Sequence, residues 1–339
     1  MTLRKLSKLA SLLMLISVLV SACNGGGTSE QGKVTEIEIN PMTAEPVEET
    51  LPPTITPQPT LTPTPTATKA PDAPTPTTTA TLTPYETLIF NGLTQVQNAQ
   101  LDLAIEEFTK AIKLDPSAGE GYFQRSRAYM YQKKWDEAIV DCNYLINLDP
   151  NDPRAYNNRG VSFANKNQYS QAVLDFTKAI ELKPDYAEAY FNMALVHIRR
   201  EEDDLALENL NKAIELQPNN AEFYFSRGNY YFMIQEMDKA VADYSQSITL
   251  APEVSSVYYY RGLTYLEMDQ VDNALADFNK AVELNPEYMD AYYYRGLAYI
   301  TKGETQKAID DLKLVYEKTQ DAELKLNAQE QLQKLGVNP

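Results

Sequence analysis

A proline recurs every 34 residues along the second part of this 339-residue chain. The six prolines are Pro116, Pro150, Pro184, Pro218, Pro252 and Pro286. A fixed period of this length is typical of proteins built from stacked structural repeats. Proline lacks a backbone N–H and cannot continue a helix, so each proline marks the end of one repeat. The period therefore predicts a stack of equivalent helical units.

Three further positions keep the same register when the proline is placed at repeat position 32. The seven repeats then start at Tyr85, Gly119, Pro153, Ala187, Ala221, Ser255 and Met289. Position 20 is alanine in every repeat, position 8 is Gly, Ser or Ala, and position 24 is mostly aromatic. Small residues at positions 8 and 20 allow two helices to approach closely, and larger apolar residues fill the space beside them. Each repeat is thus expected to be a pair of packed helices.

This pattern resembles the tetratricopeptide repeat family over residues 85–322. The resemblance implies an all-α fold, a right-handed α-solenoid of seven 34-residue helix-turn-helix repeats. The seventh repeat departs from the pattern because Gln320 replaces the proline. Apolar residues then continue at helical spacing up to Leu335, followed by Gly336. They predict a C-terminal capping helix with a polar outer face within residues 323–339.

Arginine at position 7 and aspartate at position 23 occur together. Five repeats have both residues: Arg125 with Asp141, Arg159 with Asp175, Arg227 with Asp243, Arg261 with Asp277, and Arg295 with Asp311. The other two repeats lack both, with Asn91 and Glu107 in one and Met193 and Asn209 in the other. This joint presence predicts an ion pair between the two helices of one repeat.

The N-terminus has the features of a targeting segment. Arg4, Lys5 and Lys8 precede a short apolar run over residues 9–20, and Ser21, Ala22 and Cys23 follow. This order is typical of a secretory signal peptide, and the run is shorter than the ~20 residues that cross a bilayer as a helix. Val20-Ser-Ala-Cys23 is similar to the bacterial lipobox, which implies removal of residues 1–22 and a lipid on Cys23. An uncleaved anchor helix and an unlipidated secretory peptide are the alternatives.

Residues 23–84 are expected to link the lipid to the repeats. From Pro41 to Pro84 the sequence consists largely of Pro and Thr. Proline interrupts helices and sheets, and there is little apolar surface to offset the entropy of ordering. We therefore expect a disordered tether, with glycosylation of its threonines left open. The predicted location of the repeats is extracytoplasmic, lipid-anchored to a bacterial membrane.

The composition disfavours several functional classes. The formal charge is −17, and an acidic chain lacks the basic patch that nucleic acid binding requires. The one histidine, His197, and Cys142 fall at core positions 11 and 24 of their repeats, where packing is expected rather than catalysis. The acidic run at residues 201–204 lacks the ligand spacing of a calcium loop and is expected to be a solvated turn. We expect no enzyme activity, no metal site and no cofactor.

The function we expect is partner binding on the inner surface of the solenoid. The family resemblance implies that positions 2, 5, 9, 12 and 13 of the first helix line that surface. The candidate binding residues are Phe123, Arg154, Phe191, Phe225, Tyr259 and Tyr293. Acidic residues at position 2 favour protein segments with Lys or Arg. The alternative is that these rings only pack between repeats.

The sequence thus predicts a membrane-tethered, extracytoplasmic scaffold that binds protein partners. Two alternatives stay open at this point. One is a glycan or small-molecule binding module that uses the tyrosines at 258–260 and 292–294. The other is a passive spacer.

Overall fold

The computed structural model describes residues 82–338. The predicted signal peptide, Cys23 and residues 24–81 of the predicted tether lie outside the described residues. Within 82–338 there are fifteen α-helices and no strands. The described chain divides into two compact units, residues 82–202 and 203–338, which are described separately below.

The first unit contains seven helices. They are α1 (Pro84–Gln97), α2 (Leu101–Leu114), α3 (Gly119–Tyr131), α4 (Trp135–Leu148), α5 (Pro153–Asn165), α6 (Tyr169–Leu182) and α7 (Ala187–Arg199). The odd-numbered helices are the first, or A, helices of the repeats, and the even-numbered helices are the second, or B, helices. Each helix packs against the next along the chain, so this unit is a stack of antiparallel helix pairs.

The second unit contains eight helices. They are α8 (Asp203–Leu216), α9 (Ala221–Met233), α10 (Met237–Leu250), α11 (Ser255–Glu267), α12 (Val271–Leu284), α13 (Met289–Lys302), α14 (Thr305–Lys318) and α15 (Ala322–Lys334). The A and B helices alternate as before, and α15 packs on α14 at the end of the stack. Gly336, with φ 76°, follows α15 in the left-handed region that favours glycine. The predicted all-α repeat solenoid with a capping helix is confirmed.

Local sequence signals explain where these helices begin and end. Helix α1 starts at Pro84, because Thr83 and Glu86 form a reciprocal capping box and proline suits the first helical position. The B helices of the first six repeats end two residues before the recurring proline. In all seven A-to-B turns the residue at position 15 has a positive φ, although only one of the seven, Gly303, is glycine.

The two helices of one repeat are in closest contact at positions 8 and 24. A Cβ atom added to Gly160 would lie 2.7 Å from the ring of Phe176, and one added to Gly262 would lie 2.8 Å from the ring of Phe278. Real Cβ atoms do not approach carbon atoms so closely. Glycine at position 8 is therefore what allows an aromatic ring at position 24.

The predicted pairs of arginine and aspartate are confirmed in all five repeats. In each, Nε and Nη2 of the arginine donate to the two carboxylate oxygens at 2.6–2.8 Å. Burial raises the pKa of Asp141 and Asp175, and the guanidinium beside each carboxyl group opposes that rise. Each arginine thus stabilises a charge that would be costly on its own.

Each of these arginines also reaches the preceding repeat, which the sequence reasoning missed. Its Nη1 donates to a polar side chain at position 25 of that repeat. The acceptors are Thr109, Asn143, Asn211, Ser245 and Asn279, at 2.6–2.9 Å. Aromatic rings flank the guanidinium, as where Arg261 lies 5.9 Å from the ring centroids of both Tyr258 and Tyr265. One side chain therefore joins three helices.

We expect Arg261→Met to lower the free energy of unfolding by about 3 kcal/mol, because Asp277 would be left buried without its partner. The double variant Arg261→Met with Asp277→Asn copies Met193 and Asn209 of the fourth repeat, and it should recover more than half of that loss. Thermal unfolding of the full chain followed by circular dichroism measures both effects. Equal melting temperatures of the parent and the single variant would show that the pair adds no stability.

Candidate protein-binding surface

The A helices form the inner layer of each unit. In residues 82–202, α1 contacts α3, α3 contacts α5, and α5 contacts α7. In residues 203–338, α9 contacts α11, α11 contacts α13, and α13 contacts α15. The B helices approach one another less closely within each unit. The A helices therefore line the side on which successive repeats converge, where repeat stacks present their binding surface.

The five aromatic side chains that we expected to serve as partner anchors are buried. The exposed fraction is 6% for Phe123, 1% for Phe191, 6% for Phe225, 5% for Tyr259 and 6% for Tyr293. Exposed fractions this small show that the rings pack between the helices. The accessible aromatic ladder that we expected is absent from the described residues, and the packing alternative accounts for these rings. Their contact with a partner stays a prediction.

Rings at position 5 pack against rings at position 6 of the next repeat. The ring centroid of Phe225 lies 5.5 Å from that of Tyr260, and the centroid of Tyr259 lies 5.9 Å from that of Tyr294. Such tilted and edge-to-face contacts stabilise aromatic clusters. Burial raises the pKa of Tyr259 well above its ordinary value and raises that of Tyr293 to about 12. These rings stay uncharged and hold successive repeats together.

The tyrosine-rich end does not present ring faces suited to sugars. Tyr258, Tyr259 and Tyr260 are all buried, as is Tyr293. A sugar needs an exposed aromatic face on which to stack. The glycan-binding alternative therefore loses four of its six rings, while Tyr292 and Tyr294 are partly exposed.

Arg154 lies at position 2 of α5 in the first unit, and its side chain is 35% exposed. Its guanidinium carbon is 4.2 Å from the ring centroid of Phe123, a cation–π distance. It also bonds Asp152 at 2.8 Å and Glu120 at 3.2 Å. Burial alone would lower the pKa of Arg154, but the two carboxylates outweigh burial and raise it. Arg154 thus neutralises Glu120, one of the acids at position 2.

Carboxamide side chains occupy the inner layer of the first unit, and the sequence reasoning did not single them out. Asn192 Nδ2 donates to Asn157 Oδ1 at 3.0 Å, and Asn158 Nδ2 lies 3.4 Å from Ser126 Oγ. Both contacts connect successive repeats. A sequence signal was available, since asparagine stands at positions 5, 6 and 13 of the third repeat.

Asn165 and Arg127 in this layer keep unused hydrogen-bonding capacity. Asn165 Nδ2 donates to the carbonyl of Val161, but Asn165 Oδ1 is buried and receives no hydrogen bond from the described residues. Arg127 Nη1 donates to Gln124 Oε1 at 3.1 Å and forms no ion pair among the described residues. A buried acceptor without a donor costs about 1–3 kcal/mol, so a ligand that supplies the donor gains affinity.

The remaining candidate residues have packing roles. Cys142 is fully buried, and burial raises the pKa of its thiol to about 12, so it stays protonated at neutral pH. His197 is buried, with Nδ1 2.6 Å from a carboxylate oxygen of Glu202. Trp135 packs at the start of α4 against a core cluster that contains Met130 and Ala138. Cys142 and His197 match the packing interpretation made from the sequence.

Between residues 82 and 338, no three His, Cys, Asp or Glu side chains lie together as a metal site would require. None of the helices in this part of the chain is both long enough and apolar enough to span a bilayer.

Models of tetratricopeptide repeats match the sequence along most of its repeat region. Models described as tetratricopeptide repeat match residues 86–117, 153–186, 221–254, 255–288 and 278–310. A further model, described as TPR repeat, matches residues 127–167 and 198–235. No curated protein gives a significant match.

Several solved structures are similar. A tetratricopeptide repeat protein from Parabacteroides merdae is 19% identical, with a TM-score of 0.51 over 74% of this chain and 98% of that chain. Yeast Tom70 is 21% identical, with a TM-score of 0.53 over 74% of this chain and 53% of that chain. YrrB, described as a TPR protein with an unusual peptide-binding site, is 24% identical over 56% of this chain and 97% of that chain, with a TM-score of 0.44. At these identities the likeness shows the fold alone.

We expect Phe225→Ser to destabilise the protein, because it removes a buried ring that packs between two repeats. The expected loss is about 3–5 kcal/mol, as for other buried aromatic truncations. Tyr131→Ser, at a half-exposed ring on α3, is the matched control and should cost less than about 1 kcal/mol. Urea unfolding followed by circular dichroism gives both values. An unchanged urea midpoint for Phe225→Ser would contradict the packing role.

Proposed function

We propose that this chain, which belongs to the tetratricopeptide repeat family, is a non-enzymatic scaffold that binds an extended protein segment. The binding surface is the inner layer of residues 82–202, formed by α1, α3, α5 and α7. The observation that supports this choice is the row of carboxamides with an unpaired acceptor at Asn165.

Carboxamides suit the backbone of an extended segment. Each extended residue presents one N–H donor and one C=O acceptor, and a carboxamide offers both an acceptor and a donor. The amide atoms that are not used between repeats, such as Asn165 Oδ1, can therefore pair with the backbone of a partner without reading its side chains. Specificity would then come from charged neighbours such as Arg127 and Arg154.

The preference for Lys or Arg in the partner remains part of this proposal. It rests on the acidic residues at position 2 and on the net charge of −17. Glu120 contributes least to it, because Arg154 already neutralises this carboxylate.

The proposed place of action is outside the cytoplasm, at a bacterial membrane. The support is the sequence of the N-terminus: a basic start, a short apolar run, and Val20-Ser-Ala-Cys23. A lipid on Cys23 would anchor the chain, and the Pro- and Thr-rich residues up to 84 would hold the repeats away from the membrane surface. The scaffold would thus reach partners at some distance from its anchor.

We expect the full chain, kept in mild detergent, to select a common pattern from random 12-residue peptides displayed on phage. A selected peptide should bind the double variant Asn158→Ala with Asn165→Ala about tenfold or more weakly, because two hydrogen bonds of about 1 kcal/mol each would be lost. Isothermal titration measures the affinities, and circular dichroism confirms that the variant is folded.

Asn273→Ala is the matched control, because Asn273 is an exposed asparagine on the B helix α12. It should leave peptide affinity unchanged. If the double variant binds as tightly as the parent, the carboxamide row is not the binding surface. If no peptide is selected, the spacer alternative gains support.

Replacing Cys23 by Ser should abolish lipid attachment, because the thiol is the atom that would carry the lipid. Bacteria that express the full chain are labelled with an alkyne analogue of palmitate, and the protein is recovered and examined for label. Cys142→Ser is the control and should retain full labelling, since Cys142 is buried in the repeats. Label on the Cys23→Ser chain, or none on the parent, would refute the lipoprotein assignment.

A further inference from the structure

The A helices share a stacking face at positions 3, 6 and 10. In repeats two to seven, positions 3 and 10 of this face are buried. The residues are Gly121, Ala128, Ala155, Ser162, Ala189, Val196, Phe223, Tyr230, Val257, Thr264, Ala291 and Ala298. Position 6 is also buried in repeats two to six, from Gln124 to Tyr260. This face is the side of an A helix that packs against neighbouring helices in the stack.

Helix α1 presents the same face with Thr87 and Phe90 exposed and Thr94 half-buried. Its positions 3, 6 and 10 are Thr87, Phe90 and Thr94, and the Phe90 side chain is 59% exposed. The hydroxyl groups of both threonines donate to carbonyls of their own helix turn, Thr87 to Thr83 and Thr94 to Phe90, each at 2.9 Å. Their hydrogen-bond donors are therefore already used. The face presents an exposed ring flanked by threonine methyl groups.

The charge pattern indicates what kind of surface covers this face. Helix α1 has one charged residue, Glu86, which is engaged in the capping box at the first turn. Helix α15 closes the other end of the described chain and has four: Glu323, Lys325, Glu330 and Lys334. In a chain with a net charge of −17, two copies repel each other unless they meet at a neutral surface. Depletion of charge is also the compositional mark of an interface core.

We propose that two copies of the chain associate head to head through α1. The contact is isologous, so Phe90 of each copy packs against α1 of the other, and the pair closes without further growth. The charged, polar face of α15 does not complement the apolar face of α1, which disfavours head-to-tail stacking. The Pro- and Thr-rich sequence before Leu82 offers few apolar side chains as an alternative cover.

The contact is small and the dimer accordingly weak. A 14-residue helix is ~21 Å long, and interfaces below ~1,200 Å² in total belong to the weak class. We therefore expect a dimer that forms as protein concentration rises. Anchoring of both copies on one membrane would raise their local concentration further.

The first test is sedimentation velocity of the full chain in density-matched detergent over a range of concentrations. The parent should shift from monomer to dimer, and Phe90→Lys should weaken association at least tenfold, because the charge would be placed in the contact. Leu326→Lys, at an exposed leucine of α15, is the matched control and should associate like the parent. Since Phe90 is exposed, the variant should fold normally, as circular dichroism will show. Equal association of the parent and Phe90→Lys would overturn the proposal.

Disulfide crosslinking locates the contact independently. Under mild oxidation, Thr94→Cys should give a covalent dimer above the background of the parent, which contains only Cys23 and the buried Cys142. Leu326→Cys should give none. Crosslinks between Thr94→Cys and Leu326→Cys in a mixture of the two would show head-to-tail stacking instead. Absence of a Thr94→Cys dimer would show that the face is covered by something other than a second copy.

Discussion

The distance between the two helices of a repeat is the constraint on which the stack depends, and one pair of positions sets it. Where position 24 carries an aromatic ring, position 8 is glycine, as in Gly228 with Tyr244, where an added Cβ would lie 2.9 Å from the ring. Where position 24 is the smaller Cys142, position 8 is Ser126. The two positions together fill a fixed volume, as close packing requires. Each repeat can thus vary its residues while keeping the same spacing between helices.

The forked arginine fixes a second relation, that between neighbouring repeats. Apolar packing alone is non-directional and tolerates sliding of one helix along another. A planar guanidinium does not tolerate it, because two of its nitrogens hold a carboxylate and the third holds the preceding repeat. The pair is buried, so its net contribution to stability is smaller than the cost of breaking it. Its clearest effect is geometric, because three helices must be in register before all three nitrogens can be satisfied.

Repetition explains why so much of the fold was predictable. Six of the seven A helices begin at the residue where the proline register starts a repeat, and five ion pairs follow from two positions that vary together. The position 25 contact could also have been found. A short polar residue at position 25 precedes each arginine-bearing repeat, and the last repeat, which no arginine follows, has Lys313 there. The signal is partial, because Thr177 precedes the repeat that has Met193 in place of arginine. The positive φ at position 15 could not be predicted from the residue type, because Lys133 and Gln235 adopt it there as well as Gly303.

The exposure of the candidate site could not be predicted in this way, and the reason lies in the neighbouring repeat. Position 5 faces the inner layer, but side chains of the next repeat pack against it, and the spacing within one repeat does not show how much they cover. Tyr260 and Tyr294 are large, so they cover Phe225 and Tyr259 and convert the inner layer of residues 203–338 into packed core. In residues 82–202 the side chains at position 6 of the third and fourth repeats are amides, Asn158 and Asn192, and Phe123 is buried there as well. A further amide, Asn165 at position 13, keeps an acceptor without a donor. A surface that binds a partner leaves some of its polar atoms unpaired, and Asn165 Oδ1 is such an atom in the amide-lined layer.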